Sequence, residues 1–460
     1  MSAQDQLWNT LVNTGSQVEL ARYMLAAWSA EGDVVYENGF YQYDHDSGTW
    51  SVRDHDTCRR DLMELDGRTY GLKTFTPTGE VKQSRIRMTE RMCSSVLKFT
   101  ASLAALQRAP HSPGFFDEAP AGVLCKGTFL TIEGGEVVAR APKPADRQRV
   151  ALDIAYKPTA NCPKWQRALS DWFGSDADGA EKAALLAEFV GAALFGVATR
   201  FQKALFLVAP GGNGKSQLLD VVSALFPKGY VKAIRPQEWG NEYQRAELAG
   251  AMINIVAELP TKAIAEGSNF KAIITGDPIG ARRIYEKPFT YRPRCAHIIS
   301  GNAFTEALDT SDGFWRRILV LTMTRRFDGT PEEVHDLAQL IIREELEGVL
   351  AWAAAGAKRL LAQNGYTIPQ ESLASVSVWR KSSDPVALWL DSRTSSSPEG
   401  TPPTRTSELF LDYRSWSETY CFPVLNLNNF SKALVRLLGS PKRRKSGCFH
   451  QVTLKSRTEI

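Results

Sequence analysis

The segment at residues 204–222 restricts the fold of this chain more than any other. Its apolar run, Ala-Leu-Phe-Leu-Val at 204–208, has the length and composition of a buried parallel strand. Small residues follow at 209–214, and then Lys215-Ser216 opens a helical pattern. A strand, a glycine-rich turn and a helix in this order form the pattern of a phosphate-binding loop, in which backbone N–H groups surround phosphate oxygens at a helix N-terminus. The segment therefore predicts an α/β fold with a parallel sheet.

The residues expected to bind a nucleotide lie in this loop and in the first turn of its helix. They are Gly211, Gly212, Asn213, Gly214, Lys215, Ser216 and Gln217. Lys215 is expected to reach the β- and γ-phosphates and the Ser216 hydroxyl to ligate Mg²⁺, so ATP and Mg²⁺ are the predicted cofactors. Ala209 stands where the general pattern has its first glycine, which would cause strain if the loop required a positive φ there. The alternative, a chance Lys-Ser after a glycine-rich turn, is disfavoured by the flanking strand and helix.

Two further apolar strands end in polar residues suited to hydrolysis. The run at 252–257 ends at Glu258, whose carboxylate we expect beside the phosphate loop, where it can polarise the attacking water. The acid that commonly precedes such a residue is replaced by Ala257, which leaves Ser216 and Glu258 as the candidate metal ligands. The run at 295–301 ends at Asn302, a candidate for orienting water near the γ-phosphate.

A pair of arginines follows these strands. Arg316 and Arg317 are candidates for an arginine finger, an arginine that contacts the nucleotide bound to a neighbouring subunit. The sequence does not choose between them, although Arg317 is slightly favoured. Taken in isolation, two adjacent arginines would more often form surface salt bridges.

The pattern along the chain divides it into six parts. Residues 1–155 are predicted to form a small α+β domain with two meanders, and residues 156–200 a helical segment. Alternating strands and helices occupy 201–330, and a helical extension occupies 331–390, its long helix beginning near Thr330 at a capping-box pattern. Residues 391–407 are rich in Ser, Thr, Pro and Gly, which predicts a linker. Residues 408–460 form a basic unit with two helices and a hairpin about 445–455.

Charge and composition exclude several classes of protein. Residues 431–460 hold eight of the 55 basic residues and one acidic residue, so positive charge is concentrated at the C-terminus. Lys442, Arg443, Arg444 and Lys445 are a candidate phosphate-binding patch there, with a solubilising tail as the alternative. Seven scattered cysteines with no Cys-x-x-Cys pair argue against a zinc ribbon or a disulfide framework. Glu188 interrupts the most apolar stretch, at 183–199, so we expect no membrane span and a cytoplasmic protein.

Two Asp-His-Asp triplets invite a different interpretation. Residues 44–46 and 54–56 have this sequence, and paired carboxylates bind metal ions in polymerase-type primases. No further carboxylate pattern accompanies them, and about 155 residues is small for a primase catalytic domain. Priming activity in this region is therefore disfavoured.

The order of these motifs resembles that of the superfamily 3 helicases, within the AAA+ class. The phosphate loop, the strand ending at Glu258, Thr-Gly-Asp-Pro-Ile-Gly-Ala-Arg-Arg at 275–283, the strand ending at Asn302 and Trp-Arg-Arg at 315–317 follow one another as in the primase–helicases of poxviruses, phages and plasmids. The resemblance extends over about residues 30–455. It implies that 156–200 is the helical collar, 201–330 an AAA+ core and 408–460 a winged-helix-like domain.

The resemblance also implies an activity: a homo-hexameric ring that hydrolyses ATP between subunits and moves along single-stranded or forked DNA in the cytoplasm of a bacterial host. Lys215, Glu258, Asn302 and one of Arg316 and Arg317 take the catalytic positions. The segment at 281–291 is predicted to be a pore hairpin that binds DNA through Arg282, Arg283 and Lys287, with a surface hairpin as the alternative. Two other functions stay open, an AAA+ initiator or regulator that uses ATP for assembly, and an ATPase platform for a separate primase or origin-binding protein.

Overall fold

The computed structural model describes residues 2–75, 81–106, 114–259, 267–305, 307, 311–331, 333–396, 402–420, 422, 424–445 and 447–455. The first hundred residues form helices around a small antiparallel meander. Their elements are α1 (Ala3–Leu11), α2 (Gln17–Glu31), β1 (Val34–Tyr36), β2 (Phe40–Asp44), β3 (Thr49–Arg53), α3 (His55–Met63), β4 (Thr69–Phe75), β5 (Val81–Arg85) and α4 (Glu90–Leu106). The meander β1–β2–β3 is the one predicted from alternating apolar residues, and it turns at Asn38 with a φ of 56°.

A four-stranded sheet and three helices follow. The elements are β6 (Val123–Cys125), β7 (Thr128–Glu133), β8 (Glu136–Arg140), β9 (Ala151–Leu152), α5 (Pro163–Phe173), α6 (Ala177–Leu194) and α7 (Ala198–Phe201). Glu188 is fully buried in α6, where it accepts hydrogen bonds from Arg359 Nε at 2.6 Å and from the N–H of Thr367 at 2.7 Å. The carboxylate that interrupts the apolar stretch is therefore buried, and its hydrogen bonds join α6 to Arg359 and Thr367.

The central layer is a five-stranded sheet in which every pairing is parallel. Its region contains β10 (Ala204–Val208), α8 (Lys215–Ala224), β11 (Val231–Lys232), α9 (Glu242–Leu248), β12 (Ile253–Val256), α10 (Gly267–Thr275), β13 (Ile279–Ala281), β14 (Phe289–Tyr291), β15 (Ala296–Gly301), α11 (Asp312–Trp315) and β16 (Ile318–Thr322). The strand order is β11-β12-β15-β10-β16, and β13 and β14 form a separate antiparallel hairpin. The mixed α/β class with a parallel sheet is thus confirmed.

Three helices follow the sheet: α12 (Leu337–Gln363), α13 (Gln370–Ser382) and α14 (Pro385–Arg393). The capping pattern predicted that the long helix begins near Thr330, and this was wrong: the helix begins at Leu337. Thr330 instead closes a turn by donating its hydroxyl to the carbonyl of Phe327 at 2.7 Å, and Glu333 accepts the N–H of Gly329 at 2.9 Å. These local bonds use the groups that a capping box would have used.

The C-terminal unit begins earlier than residue 408. Its strands and helices after α14 are β17 (Thr394–Ser396), β18 (Thr404–Arg405), α15 (Thr406–Thr419), α16 (Leu427–Leu438), β19 (Lys442–Arg444), β20 (Gly447–His450) and β21 (Val452–Leu454). Residues 391–396 and 404–407, predicted to be linker, are helix or strand, because β17 pairs with β21 and β18 with β20. Trp389 of α14 lies in the same core as Tyr413 and Phe430, so α14 packs as part of this unit.

Two features of the described ranges bear on the predicted class of protein. No helix there is both long enough and apolar enough to cross a membrane. The six cysteines that lie in these ranges are free thiols.

Candidate nucleotide-binding site

The carboxyl ends of three parallel strands meet at one edge of the central sheet. The N–H of Ala209, after β10, donates to the carbonyl of Gly301 at 3.1 Å, and the N–H of Leu259, after β12, donates to the carbonyl of Ser300 at 2.7 Å. Residues that are far apart in sequence are therefore adjacent here. Ligands of open α/β sheets bind at this edge, where helices begin and strands end.

Lys215 and Asn302 are in direct contact at this edge. The Lys215 ammonium donates to Oδ1 of Asn302 at 2.7 Å. Burial lowers the pKa of Lys215, and the negative charge of Glu258 opposes that shift. The structure thus brings together the loop lysine, the strand-end amide and the strand-end carboxylate.

The loop between β10 and α8 has the backbone that its glycines permit. Gly212 and Gly214 have φ angles of 77° and 81°, a region that favours glycine. A Cβ on Gly214 would lie 2.3 Å from Nε1 of Trp172. Ala209 is fully buried, is not among the positive-φ residues, and donates its N–H to the sheet. The alanine therefore replaces the first glycine without strain.

Two of the predicted nucleotide-binding residues use their side chains to anchor the loop. Asn213 is buried, and its Nδ2 donates to the carbonyl of Met323 at 3.2 Å. Gln217 accepts the N–H of Ala338 at 2.7 Å and donates to the carbonyl of His335, which ties α8 to the start of α12. Their backbone N–H groups, and not these side-chain groups, are left for a phosphate.

An open cleft of about 1020 Å³ surrounds the loop. Gly211, Ser216, Glu258 and Asn302 line it, and the last three of these side chains are exposed to it. The opposite wall comes from α5 and from residues 325–340 and includes Trp172, Phe327, Val334, Leu337 and Leu340. These apolar wall residues were missed in the sequence, because nothing in their local pattern connects them to a loop that lies tens of residues away.

The cleft presents hard oxygen donors. Ser216 contributes a hydroxyl, Glu258 a carboxylate and Asn302 an amide oxygen. Across the ranges that the structure describes, no cluster of three or more His, Cys, Asp or Glu side chains is placed to hold a metal ion. Magnesium commonly takes one or two protein ligands and completes its shell with phosphates and water, so this donor set fits Mg²⁺ brought in with a nucleotide.

The two candidate arginines lie at the other edge of the sheet. Both precede β16, which runs parallel to β10 with Ala204 opposite Ile318. Five residues of strand, or about 16 Å, therefore separate them from the edge that carries the loop. Neither arginine lines the cleft around the glycine-rich loop of its own chain.

Arg316 and Arg317 differ sharply in their surroundings. Arg317 is buried and donates from Nη2 to Thr275 Oγ1 at 2.9 Å and from Nη1 to the carbonyl of Gly313. Arg316 is exposed, and its carbonyl accepts a hydrogen bond from Lys203. Burial lowers the pKa of Lys203, and the charges of both arginines lower it further. Two cations, Lys203 and Arg317, thus lie near the exposed guanidinium of Arg316.

The hairpin β13–β14 carries the predicted DNA-binding residues 282, 283 and 287. Arg282 donates to the carbonyl of Glu286 at 3.3 Å, Arg283 pairs with Glu286 at 3.5 Å, and Lys287 is exposed. Tyr285 has a φ of 65° and is fully exposed. The sequence did not single out this tyrosine, although it is the most prominent group between the two strands.

The basic cluster of the C-terminal unit lies on a second hairpin. Lys442, Arg443 and Arg444 form β19 and pair with β20, so they belong to a sheet and not to a loose tail. All three and the following Lys445 are exposed, and the guanidinium of Arg444 lies 5.4 Å from the ring centroid of Phe449. The arrangement presents four cations on one projecting strand and its turn.

The two Asp-His-Asp triplets have structural roles. Asp54 caps α3 by accepting the N–H of Thr57 at 2.8 Å, and Asp44 closes a turn by accepting the N–H of Asp46 at 2.9 Å. Hydrogen bonds from neighbouring residues lower the pKa of both carboxyls. These contacts favour the interpretation that neither triplet is a metal site.

Comparisons with known proteins add a family match over the central region. A family described as "Family of unknown function (DUF5906)" matches residues 207–317, the stretch from β10 to Arg317. No curated protein matches the chain.

Solved structures similar to the chain include three of one protein region. "The apo structure of NrS-1 C terminal region (305-718)" is 11% identical, with 95% of this chain and 99% of that chain covered at a TM-score of 0.48. "The A form apo structure of NrS-1 C terminal region-CTR(305-718)" has the same identity and coverage at a TM-score of 0.47. "The A form apo structure of NrS-1 C terminal region-CTR" is 14% identical, with 70% and 83% covered at a TM-score of 0.39.

Proposed function

We propose that the chain is an ATP-dependent DNA motor of the superfamily 3 helicase type, with a P-loop AAA+ core. One observation carries the proposal: Lys215 and Asn302 are in contact beside Glu258, at the sheet edge where the glycine-rich loop opens α8. A phosphate-binding loop, a carboxylate for water and a polar amide are the parts that nucleotide hydrolysis requires. The resemblance in motif order supplies the class of motor.

The contact between Lys215 and Asn302 suggests what changes when ATP binds. The ammonium is held by a neutral amide 2.7 Å away, which a doubly charged phosphate group outcompetes. Once Lys215 turns to the β- and γ-phosphates, the Asn302 amide is released to orient the attacking water. Glu258 then lies on the same side to polarise that water.

Mg²⁺ would be held by the Ser216 hydroxyl and, directly or through water, by Glu258. It supplies charge that neutralises the phosphates during transfer. The protein contribution is to fix the loop, which the side-chain anchors of Asn213 and Gln217 provide.

The position of the arginines favours hydrolysis between subunits. Arg316 is exposed at the edge opposite its own loop, so it can serve only a nucleotide bound to another copy. Arg317 is committed to Thr275 and Gly313 within its own chain. We therefore assign the finger to Arg316 and a structural role to Arg317.

The hairpin β13–β14 and the wing β19–β20 are the proposed DNA contacts. Lys287 provides an exposed cation for phosphate and Tyr285 an exposed ring for stacking on a base. Lys442, Arg443, Arg444 and Lys445 provide further phosphate contacts on the wing. The homo-hexameric ring, forked DNA as substrate and a partner primase or origin-binding protein come from the resemblance.

ATP hydrolysis with and without single-stranded DNA tests the proposal. We expect turnover that DNA stimulates, that requires Mg²⁺ and that Lys215→Ala abolishes while the protein stays folded. Lys287→Ala should reduce the stimulation more than the basal rate. Turnover that persists in Lys215→Ala would refute the nucleotide site, and turnover indifferent to DNA would favour the assembly regulator or the primase platform.

A further inference from the structure

A second open cleft lies between the N-terminal region and the hairpin β13–β14. Its volume is about 640 Å³, and it is lined by six basic and three acidic residues. The basic residues are Arg147, Arg149, Arg283, Lys287, Arg292 and Arg294. The cleft is therefore positively charged, and it begins at the hairpin on which the predicted DNA contacts lie.

The two walls of this interdomain cleft are joined by Arg294, whose side chain is half-buried. Arg294 donates from Nη1 to the carbonyl of Phe116 at 2.9 Å and from Nη2 to the carbonyls of Ala119 and Gly196, each at 3.2 Å. Burial lowers the pKa of this guanidinium, and Asp117 opposes the shift. Because one side chain joins three backbone segments, the cleft is preformed and does not depend on a ligand to bring its walls together.

Two of the lining cations already form ion pairs with carboxylates, whereas three others form none in the described ranges. Arg147 pairs with Glu118 at 3.1 Å and Arg283 with Glu286 at 3.5 Å. In the described ranges Arg149, Lys287 and Arg292 form no ion pair, and all three are exposed. Arg149 lies over the ring of Phe116 at 4.9 Å, and Arg292 makes one long bond, to the carbonyl of Gly276 at 3.5 Å. Three cations are thus available to an anionic ligand.

Aromatic rings line the same cleft on both walls. Tyr36 and Tyr41 come from the N-terminal region, Tyr230 from the sheet region and Phe289 from the hairpin. A smaller cavity of about 270 Å³ continues the path and shares Tyr41, Arg149 and Tyr230 with the cleft. Cations that follow a backbone and rings on which bases stack are together the features of a binding site for single-stranded nucleic acid.

We propose that the interdomain cleft binds a short segment of single-stranded DNA that leaves the hairpin, with Arg149 and Arg292 on its phosphates. A cavity of this size is within the range of about 300–1,000 Å³ that holds one small organic ligand, so it has room for part of one strand. The proposal rests on the proposed function, because the hairpin is taken to deliver the strand. It gives the N-terminal region a direct part in DNA binding.

Fluorescence anisotropy of a labelled oligothymidine tests this inference at several salt concentrations. Arg149→Ala and Arg292→Ala should each weaken binding and reduce the slope of log affinity against log salt by about 0.7, the value for one lost phosphate contact on a single strand. Arg87→Ala is the matched control, because Arg87 is also exposed on the N-terminal region but does not line the cleft. Basal ATP turnover without DNA should be unchanged in all three variants.

Photo-crosslinking with iodouracil in the oligonucleotide locates the strand. We expect crosslinks to a peptide that contains Tyr36 and Tyr41. The binding site in the cleft is refuted if Lys287→Ala weakens binding while Arg149→Ala and Arg292→Ala behave like the control, or if all crosslinks fall on the hairpin. Either result leaves the proposed motor function unaffected. If a blunt duplex competes as well as a single strand, the assignment to a single strand is refuted. Failure of the wild-type protein to bind any oligonucleotide refutes the proposed function, and the cleft with it.

Discussion

Separate replacement of Arg316 and Arg317 should affect two different properties of the protein. Arg317→Ala removes the hydrogen bonds to Thr275 Oγ1 and to the carbonyl of Gly313 from a buried site. A hydrogen bond to a charged group contributes about 1.5–3 kcal/mol, so we expect a loss of about 3 kcal/mol in the free energy of unfolding. At about 2–4 °C per kcal/mol for a domain of this size, Tm should fall by about 6–12 °C.

Arg316→Ala should leave stability nearly unchanged, because the side chain is exposed. If Arg316 is the finger, turnover should instead fall by about 10³-fold or more. Arg316→Lys is the conservative control: it keeps the charge but loses the planar fork that binds phosphate oxygens, so it should restore only part of the rate.

The assay pairs thermal unfolding with ATP turnover, and then mixes variants. Glu258→Gln subunits retain the finger, whereas Arg316→Ala subunits retain the hydrolytic site. In equal mixtures, roughly a quarter of head-to-tail interfaces would join an intact site to an intact finger, so activity should reappear. Normal turnover in Arg316→Ala, or lost turnover with unchanged Tm in Arg317→Ala, would refute the assignment.

Three further predictions concern the loop and the core. Gly214→Ala should weaken binding of a fluorescent ATP analogue, because φ is 81° and the new Cβ would meet Trp172. Gly229→Ala should not weaken binding, because its added Cβ would have no heavy atom within 4 Å. Equal affinities of the two variants for the analogue would contradict the described loop. Glu188→Ala should lower the free energy of unfolding by about 3–5 kcal/mol in urea titrations, since it leaves buried donors unpaired, and the exposed Glu181→Ala should have little effect. Burial lowers the pKa of His297 from 6.5 to about 3, so the folded state excludes a proton that the unfolded state binds. Stability should therefore fall as pH drops from about 6.5 to about 3, and His297→Gln, unlike His335→Gln, should flatten that slope.

Local patterns predicted the loop because each of its requirements is local. A short apolar strand, glycines at positive φ and a helix that begins at Lys215 lie within twenty consecutive residues. The meander at residues 34–53 was equally accessible, since alternating apolar residues and the Asn-Gly and Ser-Gly turns between them act over a few positions. The strand order was not accessible, because it depends on pairings between strands separated by as many as 114 residues, as between Ala204 and Ile318.

The misplaced elements show where composition and local signals mislead. Ser, Thr and Pro at 391–407 predicted a linker, but short edge strands tolerate Ser and Thr, and β17 and β18 pair with strands near the end of the chain. The wall of the cleft around the glycine-rich loop was also missed. Trp172 lies in α5 and Phe327 follows β16, and only folding brings them to the loop.

The separation of the loop and the arginine also restricts how copies of the chain can assemble. The loop opens at the carboxyl edge of the sheet, whereas Arg316 lies beyond the amino end of β16. For Arg316 to reach a nucleotide on a second copy, the carboxyl edge of one subunit must face the amino edge of the next. A twofold dimer places the same surface on both partners, but this contact joins two different surfaces and therefore propagates until it closes into a ring or continues as a filament. If Arg316 is the finger, a ring or a filament of head-to-tail copies is therefore expected, and each of its interfaces would hold one complete hydrolytic site.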